Sequence, residues 1–382
     1  MRIDFHPSRR STVGAEWELA LIEADTGELA SVAERIVTDV CPAGSPAHPK
    51  IKHELLLNTV EVTTGVCSTV GEVRADLADS VELVRSVTDP LGIELFCAGA
   101  HPFSSWTRQK VTNKERYAKL IDRTQWWGRQ MLIYGVHVHV GIDHRGKVLP
   151  ILDALLNHAP HLQALSASSP YWAGEDTGYA SNRALMFQQL PTAGLPFQFR
   201  HWSELESYVA DMFVTGVIDH FSEIRWDIRP APHFGTIENR VCDGLPTLAE
   251  VSAVTALTQC LVEDLSTRLD AGERLPTLPP WHVQENKWRA ARYGMDAIVI
   301  TDAAGNERLV TEDLADLLER LEPVAKQLDC VTELRGVAEI LDRGASYQRQ
   351  RAVALANGGN LGAVVNALVA ELRAGSPSGP AG

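Results

Sequence analysis

Polar and apolar residues alternate along five stretches of this chain. Each alternation predicts a β-strand with one apolar and one polar face, because successive side chains on a strand point to opposite sides. The clearest is Val13–Glu23, with Val13, Ala15, Trp17, Leu19 and Leu21 on one face and Gly14, Glu16 and Glu18 on the other. Lys50–Thr64 is strand-like again, with Lys52, Glu54 and Leu56 sharing a face. Glu61 has the opposite parity and joins Glu54 only if the chain bulges or turns near Asn58. In Gly135–Gly141, Val136, Val138 and Val140 face one way, His137 and His139 the other. Glu223–Asp243 reads as two strands around a Pro230–Gly235 turn. Glu223, Arg225, Asp227 and Arg229 alternate with Ile224, Trp226 and Ile228. Thr236, Glu238 and Arg240 then alternate with Ile237, Asn239 and Val241. Ile93–Gly99 adds a short buried strand.

Helical periodicity fills most of the rest. Ser68–Asp89 carries Val70, Val73, Leu77, Val81 and Val84 as an apolar stripe, and Thr69 with Glu72 has capping-box spacing. Helices are also expected over Ser31–Val40, Asn113–Ile133, Val148–Ser168, His201–Ile218, Leu248–Asp270 and Glu285–Gly294. In the last of these, Glu285, Arg289 and Arg292 share a face, the pattern of a surface ion-pair ladder. Ser169–Tyr179 and Pro191–Pro196 read as loops. Ile298–Thr301 and Glu307–Val310 form a small hairpin, and Thr311–Leu372 is mostly helical. The economical architecture is α+β: one curved antiparallel sheet forming a funnel, polar inside, with helices packed on its outer, apolar face. No linker splits the chain, so residues 1–374 are expected as one domain, helical from about 311, with 375–382 a disordered Gly/Pro/Ser tail.

Composition narrows the function. A net charge of −14 argues against nucleic-acid binding. The six cysteines are scattered with no CxxC pair, which argues against a zinc ribbon or a disulfide framework and for a reducing, cytoplasmic location. The first residues lack the apolar run of a signal peptide, and no stretch is long and apolar enough to span a membrane.

The polar strand faces carry the chemistry. A single such face is ordinarily just solvated, and a lone histidine is ordinarily structural. Here Glu16/Glu18, Glu54 with Glu61, His137/His139, and Arg225/Arg229 with Glu238/Arg240 all fall to one side of one sheet. Two carboxylates about 5 Å apart repel by roughly 3 kcal/mol at an effective dielectric near 20. Protons, arginines or divalent cations must compensate them. Carboxylates plus histidine without cysteine favour Mg²⁺ or Mn²⁺ over zinc. Arginines beside such ions suit a polyphosphate. A GxxxxGK[ST] loop and the protein-kinase signatures are absent.

The ordered set Gly14-x-Glu-x-Glu18, Glu54…Glu61, Gly135-Val-His-x-His-Val-Gly141 and Thr236-Ile-Glu-x-Arg240 resembles the second bacterial type of glutamate–cysteine ligase, and within it the carboxylate–amine ligase subfamily. Pro191-Thr-Ala-Gly-Leu-Pro196 and Glu285-Asn-Lys-Trp-Arg-Ala-Ala-Arg-Tyr-Gly294 are similar too. The resemblance runs from about residue 10 to about 370. It implies the funnel of the glutamine synthetase superfamily, with ATP at one end and the acyl acceptor at the other. It implies Glu16, Glu18, Glu54, Glu61, His137 and Glu238 as ligands of Mg²⁺ or Mn²⁺ around the ATP phosphates. His139, with Lys52 and Arg225, would touch phosphate or nucleotide. Arg240, with Arg229 and Glu238, would serve the transferred phosphoryl group. Arg183, Arg289 and Arg292 would meet substrate carboxylate or phosphate, and the chain would form a homodimer. The implied reaction makes a γ-glutamyl amide through γ-glutamyl phosphate, with cysteine as the amine. The alternatives are a γ-glutamyl ligase for another amine or acid, a Mg²⁺-dependent phosphohydrolase, and a non-catalytic ligand-binding relative.

Overall fold

The computed structural model describes residues 2–377. In chain order its elements are β1 (Val13–Glu23), α1 (Ala33–Asp39), β2 (Ile51–His53), β3 (Thr59–Thr63), α2 (Val70–Thr88), β4 (Ile93–Phe96), α3 (Glu115–Arg129), β5 (Gly135–Gly141), α4 (Arg145–Leu155), α5 (Ala159–Ser166), β6 (Tyr171–Trp172), β7 (Glu175–Asp176), α6 (Asn182–Phe187), α7 (Trp202–Val214), β8 (Ile228–Ala231), β9 (Thr236–Asp243), α8 (Leu248–Asp270), α9 (Pro280–Tyr293), β10 (Ile298–Ile300), β11 (Glu307–Leu309), α10 (Val310–Gln327), α11 (Val331–Arg343), α12 (Ser346–Ala356) and α13 (Leu361–Ala374).

Seven strands form one antiparallel sheet in the order β2-β3-β1-β5-β9-β8, with β4 paired to the far end of β1. This is the α+β arrangement the alternations predict. β1 is its axis. Val13, Ala15, Trp17, Leu19 and Leu21 are all buried against the helical layer. Trp17 is 1% exposed, and its indole N–H donates to the Leu245 carbonyl at 3.1 Å. Truncating such a residue to alanine costs about 3–5 kcal/mol. Behind the sheet lies α8, buried on almost every side, as expected of a helix apolar all round. The opposite face of β1 is polar only at Gly14, Glu16 and Glu18. Two residues further on, Ala20 and Ile22 share that face and are covered by a second apolar cluster with Phe96, Tyr134 and Val365. The polar patch is thereby closed at one end.

Several expected boundaries move, each for a local reason. Lys50–Thr64 is not one strand: β2 and β3 are joined by a turn that includes Asn58, and this brings Glu61 directly opposite Lys52. The expected helix Val148–Ser168 is two helices. Between them the Asn157 side chain turns outward, donating to Pro276 O and accepting from Leu278 N, and Pro160 opens α5. The strand expected from Glu223 begins only at Ile228. Glu223 lies in a short 3₁₀ turn, where its carboxylate accepts the Asp219 and His220 amides at 2.8 and 2.9 Å. α3 is kinked at Gln125, where φ is +47°. Ser169–Tyr179 contains the two-residue strands β6 and β7. Among the described residues no helix is long and apolar enough to cross a membrane. The tail expected over 375–382 lies, from residue 378, outside the described residues.

Candidate active site

The strand register sets the functional residues in three rungs across the polar face. In the first, Lys52, Glu61 and Glu18 lie side by side on β2, β3 and β1. In the second, Glu16 on β1 lies opposite His137 on β5. In the third, Gly14, His139, Glu238 and Arg229 run across β1, β5, β9 and β8. Arg240 enters between the second and third rungs through an irregularity in β9. Val138 pairs with Asn239, but Val136 pairs with Cys242, so Arg240 and Val241 together face one residue of β5. This is a β-bulge.

The β9 side of the patch is charge-compensated. Glu238 is 2% exposed and takes Arg229 in a two-pronged pair, Nε to Oε2 at 2.6 Å and Nη2 to Oε1 at 3.2 Å. Arg240 binds the same carboxylate and reaches His137 Nδ1 at 3.3 Å. Burial opposes ionisation of Glu238, but Arg240, Arg229 and His139 outweigh it and hold its carboxyl well below the usual range. Glu16 is also held low: burial is overcome by His137 Nδ1, 3.0 Å away, and His139. His139 donates or accepts at Thr236 Oγ1, 2.9 Å away. Burial is outweighed there by Glu238 and Glu16, which raise the imidazole. Arg225 lies near enough to Arg240 and Arg229 that burial and their like charge push it down to about 10, with Glu223 opposing.

The β1–β3 side is not compensated. Burial, then the charge of Glu54, pushes Glu18 up to about 7, against Arg183 and Arg240. Burial and the charges of Glu16 and Glu54 raise Glu61 well above the carboxylate range. Its cross-strand neighbour Lys52 is 3.7 Å away and half exposed, a weak counter-charge. Glu54 is raised by burial too, although it accepts the Leu55 amide at 3.0 Å.

These residues fit a divalent cation. Ligand atoms of Glu16, His137 and Glu238 lie within 4.8 Å of one another, and so do those of Glu18, Glu61 and His137. His137 is 3% exposed, and its Nε2 is buried without a hydrogen-bond partner. Burial and the Arg240 charge push the imidazole down to about 4, so it stays neutral, as a metal-binding histidine must be. Glu54 belongs to neither triad and acts on them through its charge.

The three remaining arginines part company. Arg183, on α6, is 3% exposed, donates to the Arg240 carbonyl at 3.4 Å, and leaves its Nε unpartnered. It lies over Gly135, where any Cβ would come within 2.2 Å of its guanidinium. Arg289 does not join the patch. Its fork is filled by Glu285 at 2.8 Å and Glu307 at 2.6 Å, the surface ladder its spacing allows. Arg292 binds the Gly178 carbonyl and stacks on Tyr179 and Tyr293. None of these partners is a residue of the polar face.

Sequence reasoning also missed residues. Asp243 is fully buried, accepting bonds from Ser169 and Ser181 hydroxyls and the Ser168 amide. Strand parity puts it on the apolar face, and the bulge at Arg240 turns it round. An aspartate at an apolar-parity position was the available signal. Asp227 was grouped with the polar acids, but it is neutralised by Lys287 at 2.6 Å. Tyr117 at the start of α3 is buried, with its hydroxyl 3.4 Å from the His53 carbonyl, and Arg116 lies over its ring.

A protein of Paenarthrobacter aurescens with the provisional name glutamate–cysteine ligase 2-2 is 67% identical over 98% of this chain and 99% of its own length. A counterpart from Arthrobacter, glutamate–cysteine ligase 2-1, is 66% identical over the same shares. Among solved structures, the fold matches a glutamate–cysteine ligase of Francisella tularensis in complex with AMP, at a TM-score of 0.67 and 13% identity, covering 96% of this chain and 90% of that one. It also matches a bifunctional glutathione synthetase of Pasteurella multocida, at a TM-score of 0.65 and 16% identity, covering 95% of this chain and 52% of that one. With residues 12–367 matching the family described as glutamate–cysteine ligase family 2, the chain belongs to that family and is an ATP-dependent ligase.

Proposed function

We propose that residues 1–374 act as one catalytic domain that joins the side-chain carboxylate of glutamate to an amine at the expense of ATP. The observation that carries this reading is the split electrostatics of the polar face. Glu61, buried, and Glu18 and Glu54, half-buried, are acids in want of a cation, and they stand beside arginines already gathered on Glu238. A Mg²⁺ or Mn²⁺ ion held by Glu16, His137 and Glu238, or by Glu18, Glu61 and His137 with Glu54 nearby, would neutralise the acids and bind phosphate oxygens.

In this reading a γ-carboxylate oxygen of glutamate attacks the γ-phosphorus of ATP and ADP leaves. The amine nitrogen then attacks the acyl carbon of γ-glutamyl phosphate, loses a proton, and expels inorganic phosphate. Arg240 stabilises the phosphoryl group in transit, because its planar fork can hold two oxygens at once. Glu238 orients Arg240 and Arg229 by accepting from both. His139, Lys52 and Arg225 line the phosphate path. Arg183, buried with a free Nε, is placed to receive a substrate carboxylate. Arg289 is given no role, since its fork is filled by Glu285 and Glu307, and Arg292 is given none, since its contacts with Gly178, Tyr179 and Tyr293 lie off the polar face. Cysteine is the amine favoured by the names of the relatives.

The test is ADP release with glutamate and a panel of amines including cysteine, with the amide product identified by mass. Equimolar ADP and γ-glutamyl amide are expected. Phosphate release that needs no amine would mark a phosphohydrolase instead.

A further inference from the structure

Two segments that stand out in the sequence, residues 191–196 and α9, take no part in the chemistry above. Both converge on residues 225–227. Asp227 is 4% exposed and holds Lys287 of α9 at 2.6 Å; Lys287 is equally buried. The Asp227 amide donates to the Gly194 carbonyl at 2.8 Å, and the Arg225 amide to Thr192 at 3.3 Å. Thr192 and Gly194 both have positive φ, +66° and +102°, so this loop is bent sharply to meet the strand. The Asp227 carbonyl in turn accepts the Arg240 amide at 2.7 Å. That bond carries the β8–β9 pairing one rung further in the same register, at the point where β9 bulges against β5. The Arg240 carbonyl is held from the other side by Arg183.

A buried ion pair is a poor source of stability, because desolvating two charges offsets most of their attraction. Its value lies in geometry. This one joins α9 and the 191–196 loop to the single peptide that carries Arg240.

We propose that Lys287 is a positioning residue: through its buried pair with Asp227 it fixes the bulged Arg240 peptide, and so aims the Arg240 guanidinium at the phosphoryl group. The inference rests on the ligase reading of Arg240. It gives the two leftover segments one task, holding the last β8–β9 rung in place beside the bulge.

Lys287→Met alone strands a buried aspartate charge and can unfold the protein. The test therefore removes both charges, Lys287→Met with Asp227→Leu, in the full chain. Amide exchange followed by mass spectrometry on the peptide holding Arg240 should speed up by about tenfold or more. Turnover should drop by on the order of 10², the cost of misplacing a catalytic group by about 1 Å, while KM for ATP stays within about threefold. In an Arg240→Ala background the same double change should lower kcat no further, because its effect passes through Arg240. Unchanged exchange at Arg240, turnover within about twofold of wild type, or a full additional loss in the Arg240→Ala background would each overturn the proposal. If the double variant does not fold, Lys287→Arg, which keeps the charge but not the shape, carries the same readouts. A wild-type protein that makes no amide with any amine sinks the ligase reading instead. The exchange measurement then judges the clamp by itself.

Discussion

Glu18→Gln should stabilise the metal-free protein, and only above acidic pH. Glu18 faces Glu61 directly across β1 and β3, and burial and Glu54 push its carboxyl up to about 7 from a usual value of 4.5. In the unfolded chain the group returns to its usual value. Between pH 4.5 and 7 the native state therefore keeps a proton that the unfolded state has lost, so stability falls as pH rises through this window. Above it the penalty is constant. A difference of about 2.5 pH units corresponds to roughly 3 kcal/mol. Glu18 is only partly shielded from solvent, and screening reduces this to about 2 kcal/mol. For a chain of 382 residues the melting entropy is near 0.8 kcal/mol per kelvin, so the variant should melt about 2–3 °C higher. The amide keeps an oxygen for the Gly135 N–H. The assay is thermal melting in excess chelator at pH 4.5, 6, 7 and 8, wild type against variant. The gain should be nil at about pH 4.5 and complete by about pH 8, and saturating Mg²⁺ should reverse the order by stabilising wild type more. An equal shift at every pH, or a loss at pH about 8, refutes the electrostatic argument. Glu16→Gln is the built-in contrast. His137 and His139 already hold Glu16 low, so its loss should destabilise the metal-free protein.

Arg240→Ala and Arg240→Lys should both cost on the order of 10²–10³ in kcat with ATP binding little changed, read by steady-state kinetics beside equilibrium nucleotide binding. A silent Arg240→Lys would remove the phosphoryl role. Asn239→Ala should cost about 1–3 kcal/mol of stability, because its buried amide bonds Thr258 and its oxygen accepts the Val241 amide, yet leave kcat within about threefold. Arg289→Ala should leave kcat and both substrate KM values unchanged in the same kinetics, since its partners are surface glutamates. Excess chelator should abolish amide formation, with Mg²⁺ or Mn²⁺ restoring it and Zn²⁺ substituting poorly. Full activity in chelator would exclude the metal role of the two triads.

Much of the site was legible in advance because strand alternation is a local rule. β1, β5 and the first half of β9 keep period two without interruption, so Glu16, Glu18, His137, His139 and Glu238 could be placed on one face from spacing alone. α8 and α2 were equally legible, since their apolar positions and threonine caps are written within each segment. Parity failed wherever a turn or bulge intervened. The β2–β3 turn was needed to bring Glu61 round, and the β9 bulge carried Asp243 to the other side. Helix Val148–Ser168 was misread because its interruption depends on Asn157 finding backbone partners more than 100 residues away.

What the sequence determined by itself was the inventory: which strands have a polar face, which residue types sit there, and that acids outnumber their counter-charges. Only the tertiary structure decided how those charges are shared. Glu238 receives two arginines and Glu16 two histidines, while Glu18, Glu54 and Glu61 are left in want of a cation. Asp227 is taken out of the site by Lys287, and Arg289 by Glu307, because ion pairing depends on distance through space rather than on spacing along the chain.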